Sequence, residues 1–137
     1  RRYANEEYYA GWIKDSDNVG FTVWDSNDRR TILLLNTDWK SDTIVHDAEL
    51  VYGSALFTVP VRRYNIETLH VAHGIVVHGL SNTTDVISID EEDGGWVIKV
   101  QNTEKDVVYC FNSFTGKKVR FELTEPGVHT VRLKNNQ

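Results

Sequence analysis

Methionine is absent from the 137 residues, and cysteine occurs once, as Cys110. With a single cysteine no internal disulfide is possible. The neighbours of this one, Val107-Val108-Tyr109 and Phe111, are those of a buried strand. An inert core thiol is therefore expected rather than a nucleophile, which needs a basic or helix-terminal setting to lower its pKa. The Arg1-Arg2-Tyr3 start, with no methionine, reads as the edge of a piece cut from a larger protein. No apolar run approaches the ~20 residues of a membrane helix; the longest, Ile32 to Leu35, suits a buried strand, and no membrane insertion is expected. Missing too are a Gly-x-Ser-x-Gly elbow, a Walker loop and a Gly-x-Gly-x-x-Gly element, so serine-hydrolase chemistry and nucleotide binding have no motif to stand on. Basic residues come only as scattered pairs, Arg29-Arg30, Arg62-Arg63 and Lys117-Lys118, within a net charge of −5. A nucleic-acid backbone or an anionic membrane selects clustered Lys and Arg, so nucleic acid is excluded as the main partner.

What the chain does hold is a series of short β-rich runs divided by turn residues. They are Val19 to Trp24, Thr31 to Asn36, Glu49 to Tyr52, Ala55 to Val61, Thr68 to Ala72 and Ile75 to His78. Asp85 to Ile89, Trp96 to Gln101, Val107 to Phe111, Val119 to Leu123 and Val128 to Leu133 complete the series. Alternation places Trp96, Ile98 and Val100 on one face, Val119, Phe121 and Leu123 on another, and pairs Ile87 with Ile89. Ile32 to Leu35 and Val107 to Phe111 are apolar on both faces, as central strands are. Asp93-Gly94-Gly95, Thr115-Gly116-Lys117 and Glu125-Pro126-Gly127 supply hairpin turns, and a further turn falls at His73-Gly74. Roughly ten strands spaced by about 8–12 residues, with no long amphipathic helix, predict an all-β antiparallel sandwich of Greek-key or jelly-roll type. The expected organisation is one sandwich domain over residues 12–137, preceded by a linker remnant over 1–11, where only Ala4 to Ala10 suits a helical turn.

Three of the five histidines, His70, His73 and His78, cluster near one hairpin. Imidazole is a good ligand for zinc or copper. Yet the first two point to opposite faces of a strand, and neither Cys nor acid lies within the segment to complete a shell. The expectation is no metal, with these side chains on the polar face of an exposed hairpin; a small metal-dependent jelly-roll enzyme on the three is the rival. Asp15-Ser16-Asp17-Asn18 and Asp25-Ser26-Asn27-Asp28 offer oxygens to a structural calcium but lack the Gly and distal Glu of an EF-hand loop. They read as Asx-rich turns, and no cofactor is required.

Aromatic residues are the remaining chemistry. Sugar rings stack their C–H faces on aromatic planes while neighbouring Asp and Asn bond the hydroxyls. Trp24, followed by Asp25 and Asn27, and Trp39, preceded by Asp38, meet that description at strand ends; Trp96 reads as core.

The stretch Arg30-Thr31-Ile32-Leu33-Leu34-Leu35-Asn36-Thr37-Asp38-Trp39 resembles the strand, ending in Asn-x-Asp, that enters the β-sandwich accessory domain following the catalytic barrel of many bacterial glycoside hydrolases. Gly127-Val128-His129-Thr130-Val131-Arg132-Leu133 is similar to the closing strand of such domains. The resemblance implies a secreted, periplasmic or cell-surface parent with chemistry in its barrel, and a non-catalytic piece that packs on a neighbouring domain or touches a glycan. An Ig-like or adhesin-like spacer that binds another protein is the alternative of a different class.

Overall fold

In a computed structural model the described residues are 12–13, 19–36, 45–52, 55–62, 66–81 and 83–137. At 12–13, 21, 24, 45–52 and 55–56 the description covers the backbone alone. The described residues form twelve strands: β1 (Trp12–Ile13), β2 (Val19–Asp25), β3 (Arg30–Asn36), β4 (Val45–Tyr52), β5 (Ala55–Arg62) and β6 (Ile66–Ala72). They continue as β7 (Ile75–Gly79), β8 (Thr84–Glu92), β9 (Gly95–Asn102), β10 (Asp106–Asn112), β11 (Lys117–Leu123) and β12 (Gly127–Lys134). Every pairing is antiparallel, and no helix occurs among the described residues. None is therefore long and apolar enough to cross a membrane.

A six-stranded sheet in the order β11-β10-β7-β6-β3-β2 forms the middle of an all-β sandwich. Alternation sends its apolar side chains to two separate cores. On one face Ile32 and Leu34 of β3, Leu69 and Val71 of β6, Val76 and Phe111 meet Phe57, Val59 and Val61 of β5. The rings of Phe57 and Phe111 stack with centroids 4.4 Å apart. On the other face Ile75, Val77, Val108 and Cys110 meet Ile89, Trp96, Ile98, Val100, Val131 and Leu133 of the sheet β12-β9-β8. Two covering layers overlap on β7 and β10, so these strands are apolar on both faces, as buried central strands are. The expectation of a twice-covered strand holds for Val108, Cys110 and Phe111, while Val107 and Tyr109 are half-buried. It fails for Ile32 to Leu35: Ile32 and Leu34 are buried, but Leu35 is 38 % exposed, because the β12-β9-β8 sheet stops short of β3.

Three further differences have local causes. The predicted Ile87–Ile89 face is broken by a bulge between Val86 and Ser88. The extra residue throws Ile87 outward, 44 % exposed, and hands its inward place to Val86. The run expected from Glu49 begins at Val45, because β4 is recruited by β5 across a full eight-residue register. And β1, which no periodicity signals, exists through its pairing with β4. Residues 1–11, the expected linker remnant, lie outside the described residues.

Candidate functional site

Register places several hairpin turns at one end of the sandwich. Ala72 pairs with Ile75, Glu92 with Gly95, and Asn112 with both Ile75 and Lys117, so the β6–β7, β8–β9 and β10–β11 turns gather there. The end of β12 joins them, since Lys134 pairs with Gly95. Asn135 donates its backbone N–H to the Gly94 carbonyl at 2.9 Å.

Each turn contributes one piece of a hollow of about 490 Å³, lined by His73, Glu91, Trp96, Phe114 and Asn135 and open to solvent. His73 (φ 52°) and Gly74 (φ 80°) form a two-residue turn with both residues left-handed, the I′ geometry that matches strand twist. The turn directs the His73 ring at Glu91, with Nδ1 and Oε1 2.8 Å apart. It also presents the His73 carbonyl to the Trp96 indole N–H, which donates to it at 3.2 Å. Trp96 is only 7 % exposed and serves as the floor. Above it lies Phe114, its ring nearly parallel at 10° with centroids 6.1 Å apart. Phe114 is 73 % exposed, the largest exposure among the described large hydrophobic side chains.

Phe114 does not sit there loosely. Its N–H donates to Asn112 Oδ1 at 2.9 Å, and the Asn112 side-chain amide donates to the Asn135 and Gln137 carbonyls. Asn112 is fully buried. One side chain thus ties the aromatic turn to the C-terminal residues. An exposed aromatic face, an underlying indole, an imidazole–carboxylate pair and an amide are groups that can stack on a small ring and hydrogen-bond its substituents.

The residues singled out in the sequence fare unevenly. Asp25 is held in a two-pronged ion pair with Arg30, Nε to Oδ1 at 2.5 Å and Nη2 to Oδ2 at 2.7 Å, with its side chain 60 % exposed. Asn27 lies exposed in the β2–β3 turn, at the same end as the hollow. The backbone of Trp24 pairs with Thr31; Asp38 and Trp39 lie outside the described residues, as does the 15–18 turn proposed for calcium. In the 25–28 turn the Ser26 hydroxyl lies 3.0 Å from both Asp28 Oδ1 and the Arg29 carbonyl, either of which can accept its proton. Trp96 is core, as alternation indicated. Phe114 was missed; its signal is an aromatic residue inside Asn112-Ser113-Phe114-Thr115-Gly116, where a turn forbids burial.

The three histidines do not converge. His70 faces the side of the central sheet that carries the β12-β9-β8 layer, His78 faces the other side, and His73 sits in the turn. The exposed polar hairpin expected for them is wrong for His78, which is 4 % exposed because β7 is a central strand. Its ring stacks on Tyr109 at 5.3 Å, and burial holds its pKa down at about 4. Burial, reinforced by the Arg29 charge, also lowers His70 to about 4. Among the described residues no three His, Cys, Asp or Glu side chains group closely enough to hold a metal. Burial pushes the Cys110 thiol up to about 12, which keeps it protonated and unreactive.

No family model, curated protein or solved structure matches this chain.

Proposed function

We propose that this chain is a non-catalytic accessory module of a larger extracytoplasmic carbohydrate-active protein, and that it touches glycan weakly at the end of the sandwich where Phe114 stands. The observation that carries the reading is Phe114 itself: an apolar ring left 73 % in water, yet oriented parallel to a buried tryptophan and anchored through Asn112. A fully exposed phenylalanine contributes little to folding, whereas an oriented exposed ring suits stacking. His73, Glu91 and Asn135 surround it with the hydrogen-bonding groups that a sugar's hydroxyls need. The hollow is shallow and open, which fits low affinity for one or two sugar units.

The protein-interaction alternative has less support along the sheet edge. On the free edge of β8 the exposed apolar residue, Ile87, coincides with the bulge, and Asp85 and Asp90 flank it. Bulges and charges are devices that discourage strand addition.

Affinity electrophoresis of the protein through gels containing soluble polysaccharides tests the proposal. Retardation by a glycan is expected, and Phe114→Ala should abolish it while changing stability by less than about 0.5 kcal/mol, as surface substitutions do. A Trp24→Ala/Trp39→Ala double variant should remain retarded. Uniform mobility across a broad panel, or retardation lost in the tryptophan variant but not in Phe114→Ala, would overturn this assignment of the site.

A further inference from the structure

The β12-β9-β8 layer ends over β6, and beside its edge strand a second cleft of about 260 Å³ opens between β8 and the uncovered part of the central sheet. We propose that this cleft binds an aliphatic cation, a guanidinium or ammonium group carried on an alkyl chain. The inference is independent of the glycan site.

The polarity of the cleft is set from behind by Asp106. This buried carboxylate accepts the hydroxyl protons of Ser81 (2.9 Å) and Thr84 (2.5 Å) together with the backbone N–H groups of Ser81 (3.1 Å) and Val107 (2.8 Å). A hydroxyl that donates its only proton is left with lone pairs alone. Ser81 and Thr84, which both line the cleft, therefore face it as hydrogen-bond acceptors. Asp85 adds a carboxylate at the rim, exposed on the edge strand. His70 lines the far end; its Nδ1 is buried without a hydrogen-bond partner among the described residues, and the ring is uncharged at neutral pH. Thr68 adds a hydroxyl that can donate or accept, but the groups of fixed polarity are acceptors and a negative charge, which recognise a positive donor; guanidinium and ammonium are donors without an acceptor.

The remaining walls explain the alkyl chain. Leu33 and the half-exposed Ile66 supply an apolar strip, against which a methylene stem can lie while its charged head stays at the wet rim. The head belongs beside Asp85, the carboxylate that lines the cleft; at His70 the charges are mixed, with Arg29 opposing a positive group and Asp85 and Asp28 favouring one.

The test is an amide and imidazole NMR titration of the whole chain with n-butylguanidinium. Saturable shifts are expected at Ser81, Thr84, Asp85 and the His70 ring, with pentanoate and 1-pentanol, which match the chain but not the charge, leaving them unmoved. Asp85→Asn should weaken the apparent affinity about threefold, the effect of one exposed charge pair. Ser81→Ala should act in the same direction and serves as the second variant. A blocked Gly-Arg-Gly peptide separates the sources: tighter binding than the free cation points to a basic side chain of a partner, and equal binding points to a small amine or guanidine. No saturable shift with the wild-type chain, or equal binding of pentanol or pentanoate, would overturn the proposal.

Discussion

The two ends of the sandwich are built by different means. At the end that carries Phe114, Gly74, Gly94 and Gly116 close the turns with φ of 80°, 81° and 73°, and one buried side chain, Asn112, ties the Phe114 turn to the C-terminal residues. The opposite end uses connections of similar length, over 80–83, 103–105 and 124–126, and several buried polar side chains hold them. Asp106 gathers the 80–84 loop, while Asn102 donates its amide to the Glu104 and Glu125 carbonyls at 2.7 and 3.0 Å. Arg62 bonds the buried Glu67 and the Leu80 carbonyl. A turn closed by a left-handed glycine and a single buried tie leaves its other side chains free to face solvent, as Phe114 does. A loop fixed by side chains has committed them, and it makes that end sensitive to single substitutions and to pH.

The largest expected effect comes from removing Asp106. Asp106→Ala leaves the Ser81 and Val107 amide donors without their acceptor in a buried setting, and should cost about 3 kcal/mol or more. Asp106→Asn, which keeps one acceptor oxygen, should lose clearly less. Chemical denaturation of both variants checks this; equal, small losses would mean that the loop is held by its backbone after all.

Acid is the next probe of the same contrast. The folded-state pKa of His78 is lowered to about 4 by burial, against an ordinary value of 6.5. Between those values the unfolded chain takes up a proton that the folded chain refuses. The stabilisation is thus complete above pH 6.5 and is lost as pH falls toward 4, by up to about 3 kcal/mol for a group this buried. His70 acts in the same sense. Glu67, whose pKa is raised chiefly by burial, acts in the opposite sense, because its folded form takes a proton first on acidification. The midpoint of thermal unfolding should therefore fall between pH 6.5 and 4, and His78→Gln should flatten that limb whatever it does to stability at pH 7. An unchanged slope in the variant would show that His78 is not its source.

The same contrast decides what the sequence makes visible. Strands β9 to β12 are legible to within a residue or two because Trp96, Ile98 and Val100, then Val119, Phe121 and Leu123, alternate cleanly, and Gly116 and Gly127 mark the last two turns. The opposite end is opaque because its bonds span distance in the chain: Asp106 meets Ser81 and Thr84 across more than twenty residues, and nothing local to either announces the other. The bulge at Ile87 is hidden for the same reason, since Ile-Ser-Ile reads as regular strand until the partner register of β9 is known. The histidines mislead because a central strand and an exposed hairpin share a local pattern; only the sheet order β10-β7-β6 buries His78. The hollow at the turn end was half legible: Trp96 was placed by alternation, but its relation to Phe114 depends on β9 and β10 lying in different sheets.

A glycine substitution at the turn end should cost less stability than the loss of Asp106 and yet remove the proposed site. A Cβ placed on Gly74 would lie 2.3 Å from Phe114 Cε2, and Gly74 has φ +80°. Left-handed backbone costs an alanine about 1 kcal/mol. The clash adds little to that, because Phe114 faces water and its ring can swing away. Gly74→Ala should therefore lower stability by about 1–2 kcal/mol, less than Asp106→Ala. It should nevertheless remove glycan retardation as fully as Phe114→Ala does, since the ring can no longer lie over Trp96. If the variant kept its retardation, the parallel stack would be irrelevant to binding, and any exposed position of the ring would suffice. If it unfolded as readily as Asp106→Ala, the turn would be holding the fold as much as the buried carboxylate does, and the contrast between the two ends would dissolve.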